Sequence, residues 1–95
     1  MYEIKDSTIH GKGVFPSRHL QRGTKIGEVI CYWWFIPYIT DLGSMINHSY
    51  TPNGELSYEN GSYWLITTTN LKKQEITINY DTTPWYIAGS RSWYT

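Results

Sequence analysis

Met45-Ile46-Asn47-His48-Ser49-Tyr50-Thr51-Pro52-Asn53 sits at the middle of this 95-residue chain and decides how the rest is read. By itself the stretch is open to several readings. Asn47-His48-Ser49 matches a glycosylation sequon, as does Asn60-Gly61-Ser62. The N-terminus lacks the charged-then-apolar pattern of a secretory leader, so both matches are read as accidental. His48 has the chemistry of a general base or a metal ligand. No second ligand stands at metal-site spacing, and a structural histidine is the simpler expectation. No Ser-His-Asp or Cys-His set can be assembled, because such sets are recognised by geometry rather than by spacing.

Around this stretch the chain has room for one hydrophobic core. Eight Lys+Arg balance eight Asp+Glu, for a net charge of zero. A nucleic-acid binder needs a cationic surplus, and the clustered cations are Lys72 and Lys73 alone, so direct nucleic-acid binding is not expected. No apolar run approaches the ~20 residues that span a bilayer, so no membrane partner is expected. The single cysteine, Cys31, rules out an internal disulfide and any multi-cysteine zinc site, and no metal is expected. These features predict a soluble, intracellular domain. Aromatic residues make up 17% of the chain, with nine Tyr and five Trp against two Phe. The bias serves a small core short of apolar area, a ligand-lined groove or a subunit interface, and composition does not choose among them.

Local patterning predicts a mainly β domain with no repeat or linker. Gly13-Val14-Phe15-Pro16 reads as a short strand ended by proline. Lys25 to Ile36 begins as a strand, but its later part is too continuously apolar to assign by alternation. Glu55–Tyr58 and Tyr63–Thr68 flank Glu59-Asn60-Gly61-Ser62, and Asn-Gly between two such runs predicts a hairpin whose central residues take positive φ. Ile76, Ile78 and Tyr80 alternate with Thr77 and Asn79, as in a half-buried strand. Gly11-Lys12-Gly13 alone signals no more than a turn.

The order of these pieces carries more than any of them. IHGKGVFP (Ile9–Pro16), RGTKIGEVI (Arg22–Ile30), MINHSYTPN (Met45–Asn53) and KKQEITINYD (Lys72–Asp81) together resemble the SET domain of protein lysine methyltransferases. The resemblance implies a single minimal SET domain over 1–95, with a core at about 9–81 and a closing segment at 82–95, of the kind found in viruses and microbes. It implies a β-clip-like fold of small curved sheets with few short helices and a C-terminal knot-like crossing. It also implies S-adenosylmethionine as cofactor and a protein or peptide lysine as substrate.

Carried onto this chain, the resemblance places Gly11, Lys12 and Gly13 against the cofactor, the glycines allowing close backbone approach. Asn47 meets the methionine portion and the His48 backbone the adenine edge, although both side chains could instead hold the crossing together. Tyr80 takes the place of the catalytic tyrosine and, with Tyr32 and Ile78, lines the lysine channel. Ile78 brings no hydroxyl to that channel, which favours di- or trimethylation. Trp85 is a candidate to stack on adenine or wall the channel, with core packing the alternative.

The departures are as informative. Only fourteen residues, Cys31 to Ser44, stand where the family inserts a longer groove-forming subdomain. The aromatic block Tyr32–Tyr38 within them either lines the peptide side of the cleft or forms a homodimer contact, the latter preferred. Glu28 is followed by Val29-Ile30-Cys31, without the family's Tyr-x-Gly. The alternative to an enzyme is a non-catalytic SET-like module that binds a peptide or protein partner.

Overall fold

The computed structural model describes residues 1–83. Trp85 and most of the closing segment 82–95 lie outside the described residues. Among the described residues, eight strands form three small sheets. Strands β1 (Tyr2–Asp6) and β2 (Lys12–Pro16) pair antiparallel. A four-stranded sheet runs β4-β3-β7-β6, built from β3 (Lys25–Trp33), β4 (Ile36–Ile39), β6 (Gly54–Glu59) and β7 (Ser62–Thr67). The third sheet is a parallel pair, β5 (Asn47–His48) with β8 (Thr77–Ile78). One short helix, α1 (Asp41–Met45), and a 3-10 turn (Tyr80–Thr82) are the helical elements among the described residues. The mainly β reading holds.

The Asn60-Gly61 hairpin forms as expected. Glu59 pairs with Ser62, and the two loop residues take φ of 51° and 81°, the left-handed values that a tight hairpin turn demands. The unassignable apolar run is a second hairpin. Strand β3 extends to Trp33, turns through Trp34 and Phe35, and returns as β4, with Trp34 held at φ 59°. Few sequences would signal that turn, because a bulky aromatic in the left-handed region is a rare turn residue. Ile76 to Tyr80 differs from the expected half-buried strand. Only Thr77 and Ile78 are strand, and Ile76, Thr77, Ile78 and Tyr80 are all buried. The segment is enclosed on both sides, since Ile76 bridges Val14 of β2 while β8 pairs with β5.

Strand β3 carries two register shifts against β7, between Lys25 and Gly27 and between Glu28 and Ile30. Such bulges reset the in-out alternation. Val29 and Ile30 are consequently both buried, and Glu28 reaches Cys31 three residues on, a spacing that a regular strand would send to opposite faces. Helix α1 is fastened beside this bulge. Thr40 caps it by accepting from Gly43 N at 3.0 Å, and its hydroxyl donates to Glu28 O at 2.6 Å. At Gly43 a Cβ would fall 2.5 Å from Val29 O, so helix and strand touch through the glycine. This contact delivers Ile46 and Asn47 into the core, where Val14, Ile30, Leu65, Ile76, Ile78 and Tyr80 pack together.

Candidate functional site

The loop between β1 and β2 is organised by Ser7. Its hydroxyl accepts from Ile9 N at 2.9 Å and donates to Glu75 Oε1 at 2.7 Å, while Ser7 N donates to Gly11 O at 2.8 Å. Gly11 closes the turn at φ 50°, with open space where a side chain would stand. Lys12 is exposed, and its ammonium meets Asp6 Oδ1 at 2.5 Å. That hydrogen bond and the lysine's charge hold the Asp6 carboxyl below its ordinary range.

Asn47, 3% exposed, ties this loop to the middle of the chain. Its Nδ2 lies 3.1 Å from Ser7 Oγ, 3.0 Å from His10 O, 3.0 Å from Lys12 O and 2.8 Å from Glu75 Oε2. Two N–H bonds shared among four acceptors leave no doubt about the amide's orientation, and Oδ1 is its remaining acceptor face. Gly13 is buried beneath the same carboxylate. A Cβ there would stand 2.7 Å from Glu75 Cδ and overlap its carboxylate oxygen. The glycine does permit a close approach, and within the protein the group that approaches is Glu75.

The parallel pair β5–β8 forms the second half of the site. Ser49 N donates to Ile78 O at 3.0 Å, and Tyr80 N donates to His48 Nδ1 at 3.0 Å. His48 therefore carries no proton on Nδ1. Its ring packs against Tyr80, centroids 5.1 Å apart, and edge-on to the exposed Tyr50 at 4.3 Å. Asn53 stitches the approach to β8, accepting from Thr77 N and donating to Glu75 O, both at 2.9 Å. Tyr80, 2% exposed, donates its hydroxyl to Ile46 O at 2.5 Å. The hydroxyl is thus fixed beside the residue that precedes Asn47.

Gly11, Lys12, Gly13, Asn47, His48, Ile78 and Tyr80 accordingly belong to one connected region. Tyr32 lies on the four-stranded sheet against Tyr58 at 6.4 Å and Tyr63 at 6.5 Å, and packs against the core cluster that holds Ile78 and Tyr80. Ser7 went unread in the sequence because nothing marks a lone serine before a loop. Glu75 and Asn53 lay inside the quoted motifs, but their roles appear only where distant segments meet. Cys31 is hydrogen-bonded within β3. Its thiol donates to Glu28 Oε2 at 3.0 Å, a bond that pushes the thiol up and the carboxyl down from their ordinary ranges.

The described residues contain no cluster of three metal-ligating side chains, and no helix among them is long and apolar enough to cross a membrane. No protein-family model and no curated protein sequence matches the chain. Among solved structures, the chain is similar to a Plasmodium falciparum protein provisionally assigned as a histone methyltransferase. The TM-score is 0.71 and the identity 17%, covering 88% of this chain and 96% of that one. At that identity the likeness is one of architecture, and the fold is SET-like.

Proposed function

We propose that the chain is a SET-type protein lysine N-methyltransferase that uses S-adenosylmethionine. The observation carrying this reading is the Tyr80 hydroxyl, buried and bonded to Ile46 O where β5 meets β8, with the Gly11-Lys12-Gly13 loop tied to that point through Asn47. When bound, S-adenosylmethionine supplies an electrophilic methyl group on a sulfonium. The residues present suit it. The Tyr80 hydroxyl oxygen and the Ile46 carbonyl offer fixed partial negative charge to a polarised methyl. Asn47 Oδ1 offers an acceptor to an ammonium, as the methionine portion carries, while its Nδ2 is spent on the protein.

The substrate amine must be neutral to attack. The apolar surroundings of Ile78 and Tyr80, 1% and 2% exposed, favour the neutral form of a lysine brought among them by withholding water from the ammonium. The fixed hydroxyl then orients that amine, and the departing proton passes to solvent. The neighbour's provisional assignment supports the reaction class. Calorimetric titration with S-adenosylmethionine tests the reading, followed by mass spectrometry after incubation with lysine peptides. Saturable binding and methyl-mass increments are expected, extending to di- or trimethyl products if the Ile78 argument holds. Binding without any product favours the alternative, a non-catalytic module, which the short hairpin in place of a groove-forming insert independently suggests. Absence of binding overturns both cofactor-based readings.

The same hairpin is proposed as a homodimer contact. Trp33, Trp34, Phe35, Ile36 and Tyr38 are 71%, 79%, 92%, 61% and 61% exposed, with no charge among them. At the ~150–250 Å² an aromatic side chain can bury, they supply on the order of 600 Å², near the ~800 Å² per partner of a standard interface. Among the described residues strand β4 is also a sheet edge, whose backbone can pair across a two-fold axis. Sedimentation velocity should show a dimer at micromolar concentration, and Trp34→Lys with Phe35→Lys a monomer. A wild-type monomer refutes the contact.

A further inference from the structure

The charges of this neutral chain are unevenly paired. Lys5, Lys12 and Lys25 form ion pairs with Glu3, Asp6 and Glu59. Arg18, Lys72 and Lys73 form none with the described residues, and all three line one open cleft of about 270 Å³. Lys5, His19 and the Lys5-paired Glu3 complete its polar wall. Four of the eight Lys+Arg thus converge where the sequence showed only the Lys72-Lys73 pair.

Backbone pairing brings them together. Leu20 and Leu71 exchange hydrogen bonds of 2.9 and 2.8 Å in an antiparallel bridge. In that register His19 falls opposite Lys72 and Arg18 opposite Lys73. Gln74 fixes the turn on one side, its Oε1 accepting from Lys72 N at 2.7 Å and Lys73 N at 3.1 Å. Strand β1 closes the other side, with the Lys5 ammonium 5.3 Å above the Phe15 ring. Like charges gathered in a concave surface focus a positive potential and draw anions to it.

We propose that this cleft docks an acidic peptide segment of a protein partner. Amide N–H groups commonly cradle a phosphate. Here those of Lys72 and Lys73 are taken by Gln74, and that of Ser17 by Met1 O at 3.0 Å, leaving the side-chain cations. Among the described residues no Phe, Tyr or Trp lines the cleft, and the single His19 imidazole is short of the run of rings on which successive bases of a single strand stack. Flexible ammonium groups around an open trough suit carboxylates strung along an extended chain. The proposal does not depend on methyl transfer.

Fluorescence anisotropy of a labelled oligoglutamate peptide tests it on the whole chain. Saturable binding is expected, weakening with added salt as screening demands. Lys73→Glu should weaken binding about fivefold, while Arg22→Glu, an equal change in net charge at an exposed position outside the cleft, should change it by about twofold at most. Absence of binding, or equal effects of the two substitutions, overturns the proposal. Tighter competition by oligothymidylate or by pyrophosphate also overturns it, in favour of a phosphate-bearing ligand.

Discussion

Gly13→Ala is expected to remove about 3 kcal/mol of unfolding free energy, a large share of the roughly 5–15 kcal/mol that holds a domain of this kind. A methyl group at Gly13 overlaps the Glu75 carboxylate and stands 3.1 Å from Ser7 Cβ. The carboxylate cannot simply swing aside, because Ser7 holds one oxygen at 2.7 Å and Asn47 the other at 2.8 Å. Displacing it breaks two hydrogen bonds to a charged group, each worth about 1.5–3 kcal/mol, with partial recovery through water. Urea denaturation measures the loss directly, and in a domain of this size the melting temperature should fall by on the order of 15 °C. A double-mutant cycle isolates the cause. In a Glu75→Ala background the further cost of Gly13→Ala should shrink to a few tenths of a kcal/mol. An unchanged midpoint for Gly13→Ala alone would mean that the carboxylate is not held as described.

Tyr80→Phe should leave S-adenosylmethionine affinity within about threefold and cut methyl transfer about 10²-fold, the scale lost when a reacting pair is misaligned. The ring remains packed against His48, so the walls of the site persist. What disappears is the hydroxyl bonded to Ile46 O, and with it one of the two oxygens that the proposed reaction uses to align the methyl group. Stability should fall by about 1 kcal/mol, the ordinary cost of one lost hydrogen bond. Single-turnover methylation read beside calorimetry separates the two roles. Full turnover by the variant would reduce the hydroxyl to a purely structural tie.

Local turn chemistry made part of the fold legible. Asn60-Gly61 announces its hairpin because both residues tolerate positive φ. Trp33 to Ile36 announces nothing, since its turn is imposed by the pairing of β3 with β4 and not by a residue suited to it. The two-residue strands β5 and β8 carry too little sequence for any periodicity, and only the order of motifs hinted that they would meet. In the site, that order placed Asn47, His48 and Tyr80 in one region. It could not say that the Asn47 amide nitrogen is committed to the protein, because its acceptors come from two distant segments, Ser7–Lys12 and Glu75. The basic cleft was hidden for the same reason: Lys5 and Arg18 reach Lys72 and Lys73 only through the Leu20–Leu71 bridge and the first hairpin.

The bonds at Asn47 span 40, 37, 35 and 28 residues of chain. Contacts of such separation close only after the intervening loops have surrendered their entropy, which places them late in folding. The Asn60-Gly61 hairpin can flicker into being on its own, but the junction at Asn47 has no local precursor. Amide hydrogens around it should then exchange only through global opening, never through fraying of one element. A chain still emerging from synthesis, with Glu75 not yet free to meet Asn47, can hold the Asn60-Gly61 turn and yet possess no site.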